Sequence, residues 1–456
     1  GYTNGAGSSE YKMLSYFARV NYTLMDRYLF EVNMRADASS RFHKDHRWGY
    51  FPSFSAGWRI SEESFMKDIE WINNLKIRAS YGTLGNINNV GNYDYFQNYS
   101  SGNHYNFSDS PVIGIGESKP ANETLGWEKV ALTDIGLDFD IFNGLLGVTA
   151  DYYIKNTSDI LLGYNVPTET GITAAPSQNI GKVKNTGFEL ALNHRNKIGA
   201  VNYSIGANIA TNKNKITNLG GSDNIIQTSS YIVKYILKKG ESIGSFYGFK
   251  TDGLYTQADI DAGHYYTLSG VVPNAGDIKF VPQRDIEYKQ EITDEDRTIL
   301  GKDVPDFTYG VNLSLQYKGF EFSMFGQGIS GTKVAFDVYG VHPFYHGQDS
   351  PRKYHLKRWT EENPNPHAAY PRIYSASSVH TTYNRNFSDY HLFDSDYFRF
   401  KTLSLGYTVP SATVKNWGLQ SLKVYVTGEN LFTVRADKKM EDFDPETAGG
   451  VIYTLG

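Results

Sequence analysis

The 456 residues contain no cysteine, which excludes a disulfide framework and thiolate chemistry without fixing a compartment. No run of about 18 apolar residues occurs, so no segment reads as a transmembrane helix. Neither sign of charge is in excess: 44 Lys and Arg stand against 49 Asp and Glu, a net charge of −5. Nothing therefore argues for a nucleic-acid partner. Helical periodicity is almost absent. There is no Ser/His/Asp elbow, phosphate-cradling loop or zinc signature, and hence no catalytic case and no cofactor. No secretory leader is visible and the chain starts at Gly1, so it reads as a processed chain or a fragment. The lack of long apolar runs leaves a membrane β-barrel open, because only alternate residues of its strands face lipid.

What is present is period-2 alternation along almost the whole chain. Tyr28, Phe30, Val32, Met34 and Ala36 fall on one side, and Leu29, Glu31, Asn33, Arg35 and Asp37 on the other. The pattern recurs in about twelve segments of roughly ten residues, the length of a membrane-crossing strand. The last two are "YFRFKTLSLGYTV" from Tyr397 and "SLKVYVTGENLF" from Ser421. The first of these changes phase near Lys401, which predicts a β-bulge. Connections alternate between short turns, such as Asn143-Gly144 and Lys318-Gly319, and long excursions at about 39–50, 86–126, 156–181, 213–306 and 332–396. Antiparallel strands joined in order place alternate connections at opposite ends. One end then carries tight turns and the other large loops, the asymmetry of an outer-membrane barrel.

The reading is an all-β, antiparallel transmembrane barrel with long extracellular loops. Lipid would cover the apolar side, and Tyr22, Tyr28, Tyr81, Tyr152, Tyr317 and Phe320 would suit an interfacial girdle. The polar side would face a wet lumen, with Glu31, Arg35, Asp134, Asp138, Asp151, Glu189 and Arg195 as lining candidates. The alternation alone also fits a soluble sandwich or soluble barrel, and the alternative function is a plugless barrel or soluble β protein that binds glycan through its loops without transport.

Among the loops, "NYDYFQNYSSGNHYNF" from Asn92 and "DVYGVHPFYHG" from Asp337 are rich in aromatic rings. Tyr93, Tyr95, Phe96, Tyr99 and Tyr105 in the first, and Tyr339, Phe344 and Tyr345 in the second, are substrate-contact candidates. A ring with a polar tip beside amide donors suits sugars or peptides, and equally suits loop packing. His43 and His46 lack further ligands nearby and read as a solvated loop rather than a metal site. Glu62-Glu63 reads as a charged surface turn, because adjacent carboxylates do not face one another across a substrate. "LKRWTEENPNPHAAYPR" from Leu356 predicts a short helix ending before Pro364.

Several blocks in order resemble the SusC/RagA family of TonB-dependent outer-membrane transporters of Bacteroidetes. They are "RYLFEVNMRADASSRF" from Arg27, "WGYFPSFSAGWRISEESFM" from Trp48, "LKIRASYGTLGN" from Leu75, "GKVKNTGFEL" from Gly181, "GESIGSFYGFKTDGLY" from Gly240, "GDIKF" from Gly276, "DSDYFRFKTLSLGYTVP" from Asp394 and "VYVTGENLFT" from Val424. The resemblance implies a barrel of roughly 22 strands around a plug. Residues 1–456 would be the C-terminal part of it, without the plug, the early strands and the last strand. It also implies a SusD-like lipoprotein lid, TonB acting on the plug, outer-membrane lipid as surroundings, and a glycan or peptide oligomer as cargo. Many members carry an acidic, glycine-bearing stretch after the block that matches "GDIKF". Here Asp294 and Asp296 remain without the glycine that a calcium loop needs for its sharp turn, which argues against calcium there.

Overall fold

The computed structural model describes residues 8–107, 110–163, 177–228, 232–335, 342–343, 350–440 and 443–446. The chain divides into two compact units, residues 1–194 with 213–223, and residues 195–212 with 224–456.

The first unit holds β1 (Met13–Leu24), β2 (Tyr28–Ser39), β3 (Trp48–Arg59), β4 (Ile72–Asn86), β5 (Glu128–Ile141), β6 (Leu146–Gly163) and most of β7 (Ser177–Ile198). Each pairs antiparallel with the next, and Lys213–Leu219 adds to β7. One register row across this sheet runs Tyr22, Phe30, Ala56, Ala79, Ile135, Tyr152, Phe188. The neighbouring row, one residue along, runs Asn21, Glu31, Ser55, Ser80, Asp134, Tyr153, Gly187. Because the side-chain period is two, these rows lie on opposite faces. The apolar row is open, with Ile135 57% and Tyr152 49% exposed.

The second unit repeats the design with β8 (Val201–Thr211), β9 (Phe307–Tyr317), β10 (Phe320–Ser330), β11 (Tyr397–Thr408) and β12 (Lys423–Arg435). These twelve long strands are the twelve alternating segments of the sequence. The β9–β10 connection is two residues, Lys318 (φ 45°) and Gly319 (φ 90°). Positive φ at both central residues gives the turn whose twist matches the flanking strands. The predicted bulge is present: the β10–β11 and β11–β12 registers both skip Lys401.

The long connections fold on themselves. In the second unit, the excursions between β8 and β9 and between β10 and β11 share a core of Phe249, Leu254, Ile278, Phe280, Trp359 and Tyr383. Phe249 N–H donates to the Phe387 carbonyl at 3.0 Å, joining the two excursions through the backbone. In the first unit, Phe42, Phe51, Val90, Leu125 and Trp127 form a smaller core.

Three expectations need correction. The connection placed at 156–181 is shorter, because β6 runs on to Gly163 and β7 begins at Ser177. The helix from Leu356 is instead a 3-10 turn at Lys353–Lys357. Past it, Trp359 is buried and its N–H donates to the Tyr370 carbonyl at 2.9 Å, a tertiary bond that overrides local helix propensity. Glu63 is not a surface charge. It is buried, accepting from Arg27 Nη1 (2.9 Å), Tyr28 Oη (2.7 Å) and Trp58 Nε1 (3.0 Å), and so ties the β1–β2 turn to the end of β3.

Candidate functional site

Alternation puts Lys76, Arg78 and Ser80 on the polar face of β4, in register with Asp138, Gly136 and Asp134 of β5. Arg78 becomes the hub. Its Nη2 donates to Asp151 Oδ2 at 2.8 Å, its Nε to Asp138 Oδ2 at 3.3 Å and its Nη1 to Asp134 Oδ1 at 3.4 Å. Lys76 Nζ adds a 2.9 Å ion pair with Asp138. To reach Asp151 on β6, the guanidinium must pass over β5. It does so at Gly136, where a Cβ would collide with the Asp151 carboxylate and the Arg78 guanidinium. Glycine in a strand interior marks such a close approach. Glu189 sits directly across β6–β7 from Asp151. The polar face beside this cluster is concave, about 450 Å³, and is lined by Asn21, Glu31, Ser55, Lys76, Arg78 and Asp134 among others.

Of the lining candidates, Asp134, Asp138, Asp151 and Glu189 thus come together on one face. Glu31 lies in the same register row as Asp134 and accepts from Asn33 Nδ2 at 2.7 Å. Arg35 pairs with Asp37 at 2.6 Å. Arg195 lies on β7 just past its last register pair with β6, Leu146–His194. The prediction missed Lys76 and Arg78 as the organising cations. Their signal was two positive charges at i and i+2 on a polar face, next in strand order to a segment with acids on its own polar face.

A second cluster sits on β11. Arg399 and Lys401, two residues apart, serve the same side of the strand, and the register skips Lys401 before resuming at Thr402. Arg399 donates to Asp444 Oδ1 (2.7 Å) and Glu446 Oε2 (2.8 Å), and Lys401 Nζ to Glu446 Oε2 (2.7 Å). Residues 443–446 are pinned there by these bonds and by Phe443, which packs with Val334, Tyr354 and Phe393.

The aromatic candidates divide. Tyr95 and Phe96 stack at 4.3 Å, Tyr93 lies 6.3 Å from Phe96, and Tyr95 packs on the first unit's loop core. His43 meets Tyr95 edge-on. Tyr99 and Tyr105 project from a separate hairpin, Asn98–Phe107 with Ser110–Lys119, and are exposed. Tyr339, Phe344 and Tyr345 lie outside the described residues.

At the degenerate acidic stretch, Asp296 is fully enclosed. It accepts from the backbone N–H of Gln283, Arg284 and Thr293 and from Arg284 Nε and Nη2. Burial pushes its carboxyl up, but these hydrogen bonds prevail and hold it down to about 2. Here a guanidinium fills the place a cation would take, and Asp294 turns instead to Arg297 at 2.7 Å. In the same excursions, burial drives the His391 ring down to about 4, and it stays neutral beside Ser388 Oγ at 3.1 Å.

An antiparallel sheet with an open apolar face, a charged opposite face, tight turns at one end and folded loops at the other defines a membrane β-barrel. The chain belongs to the "TonB dependent receptor-like, beta-barrel" family, whose model matches residues 1–431. It is 32% identical over 93% of its length to TonB-dependent receptor P3 of Formosa agariphila, covering 41% of that protein. It is 30% identical over 96% of its length to TonB-dependent receptor SusC of Bacteroides thetaiotaomicron, covering 42% of it. Among solved structures it is similar to the RagAB peptide transporter, at 26% identity and a TM-score of 0.76, over 96% of this chain and 45% of that one. The family resemblance read from the sequence blocks therefore holds, and with it the bacterial outer membrane as the location. The chain spans less than half the length of the relatives it matches. Those relatives are named as receptors and transporters, in keeping with the reading of a non-enzyme.

Proposed function

We propose that this chain is the C-terminal barrel portion of a TonB-dependent importer that moves a sizeable nutrient, a glycan or peptide oligomer, across the outer membrane. A SusD-like lipoprotein captures the oligomer at the long-loop end, and TonB acts through a plug that fills the lumen. The observation that carries this reading is the adjacent pair of register rows. The apolar row suits lipid, while Asn21, Glu31, Ser55, Ser80 and Asp134 suit a hydrated passage. The likeness to SusC and to a RagAB peptide transporter supports the same reading. The aromatic loops would meet the cargo first, through Tyr93, Phe96, Tyr99 and Tyr105 together with Tyr339, Phe344 and Tyr345. The lining candidates Glu31, Arg35, Asp134, Asp138, Asp151, Glu189 and Arg195 would contact cargo or plug.

The test is uptake of fluorescent oligosaccharide and oligopeptide pools by cells with and without the intact transporter, each with and without TonB. Loss of uptake of one pool in both deletions is the expected result. Unchanged uptake of both pools would sink the proposal.

A further inference from the structure

Three histidines of the 332–396 excursion gather around one tyrosine. Tyr370 Oη lies 3.1 Å from His342 Nδ1. The Tyr370 ring meets His355 edge-on at 4.6 Å, and the His391 ring centre is 5.3 Å from that of His342. None of the three histidines is more than 4% exposed. Their surroundings suit the neutral ring. His355 Nδ1 accepts from the Arg352 backbone N–H at 2.7 Å, closing the 3-10 turn at Lys353–Lys357. A second proton on that ring would set one N–H against another. His342 Nε2 has no hydrogen-bond partner among the described residues. Burial drives the His342 ring well below its ordinary value, and His391, Arg385 and His355 add to the effect.

Among the described residues, the charges that face this cluster are cationic. Arg385 stands by His342, Lys439 by His391, and Arg352 and Arg358 flank His355. The carboxylates on the same elements turn elsewhere: Asp389 accepts from Thr251 Oγ1, Asp394 pairs with Lys333, and Asp444 pairs with Arg399. The chain beyond β12 forms the roof. Phe443 packs with Tyr354 and Tyr370, under the Arg352 guanidinium at 4.6 Å, and Lys439 Nζ lies 5.5 Å from the Tyr390 ring centre. Beside Phe443, Asp444 and Glu446 reach Arg399 and Lys401 on β11. The seat of Phe443 on the cluster and the hold of its neighbours on the strand are thus one structure.

We propose that the histidine cluster around Tyr370 is an acid-sensitive lock: its neutral rings seat Phe443 and so hold Asp444 and Glu446 on β11, and protonation of the rings releases residues 443–446 from both. The long loops face the external medium, so the cluster meets the acidity of the surroundings directly. A proton added to the closed cluster lands among buried rings and cations, where a charge is costly, so protons favour the open form. His391 titrates at about 4 when closed, against about 6.5 when wetted. The stability it contributes is complete above the higher value and is lost as pH falls toward the lower one. That ring alone raises the opening constant about a hundredfold between about pH 7.5 and 4. The carboxylates do not release the lock in that window. Burial pushes Asp444 and Glu446 up, but hydrogen bonds from Arg399 and Lys401 prevail and hold both below their ordinary values.

The experiment is amide hydrogen exchange on the intact transporter in detergent, from about pH 7.5 to 4, with rates corrected for the intrinsic effect of pH. It reads the amides of Arg352, His355 and Glu446, all hydrogen-bonded in the closed form. Their protection should fall together by about a hundredfold or more, while amides of β10 and β11 stay protected. His391→Asn, which takes no proton, should leave the lock closed at neutral pH and cut the fall at least about tenfold. His355→Gln repeats the measurement should His391→Asn fail to assemble. Phe443→Ala should leave Glu446 unprotected at every pH, and Glu446→Gln should leave the midpoint of the fall in place. Protection that stays flat down to about pH 4 would overturn the proposal. So would an undiminished fall in the histidine variant, a midpoint that moves with Glu446→Gln, or loss of β10 and β11 protection at the same pH, which would mean general unfolding.

Discussion

Phe280 and Phe320 belong to the same unit and have opposite fates. Phe280, in the excursions, is wholly enclosed among Phe249, Ile278 and Tyr383; Phe320, on β10, is 52% exposed beside Tyr407. The excursions behave as a small water-soluble protein, with apolar groups inside and the enclosed carboxylates of Asp277 and Asp296 hydrogen-bonded. Asp277, for instance, is enclosed and accepts from Asn384 Nδ2 and the Asn274 backbone N–H. The long strands invert that rule, placing rings outward and the Arg78 ion cluster on the other face. Apolar residues are driven inward only where water is the solvent. The comparison thus identifies the surroundings of each region from its own side chains.

The strongest way to break the comparison is to open the excursion core. Phe280→Ala should cost that core about 3–5 kcal/mol. It should expose the excursions to protease while the heat-modifiable gel mobility of the barrel persists. Loss of that mobility as well would show that the strands depend on the excursions. Next, Ile135→Arg, on the open apolar row, should destabilise the protein by about 2–4 kcal/mol when folding is measured in lipid vesicles. A surface change in water is usually within about 0.5 kcal/mol, so a value that small would mean this face does not meet lipid.

On the opposite face, Gly136→Ala should cost about 1–3 kcal/mol by forcing Arg78 away from Asp151. Amide exchange of β5 and β6 would report it, and unchanged protection there would remove the guanidinium crossing from the account. The smallest effect at neutral pH is on titration. His391 is held at about 4 in the folded excursions, against about 6.5 when unfolded. A depressed histidine contributes stability that is present above the unfolded value and is lost as pH falls toward the folded one. Protease sensitivity of the excursions should therefore rise between about pH 6.5 and 4. His391→Asn should flatten that rise, and an unchanged slope would exonerate the histidine.

The sequence by itself determined the twelve long strands, their faces and their order, because a two-residue period and a row of turn residues are local properties, whereas the hairpin Asn98–Phe107 with Ser110–Lys119 and the short strands of the excursions read only as loops. Even the bulge at Lys401 was legible as a change of phase. The acids Asp134, Asp138 and Asp151 were legible as one polar face for the same reason. The tertiary structure alone decided which cation joins them. Arg78 lies on another strand, and it reaches Asp151 only because Gly136 opens the way across β5. It alone enclosed Glu63 and Trp359, which read locally as a surface charge and a helix residue, and gave Asp296 an arginine for a partner. Register between distant strands and packing between separate excursions are non-local, and pairing them depends on closure of the chain over long separations, which no window of sequence contains.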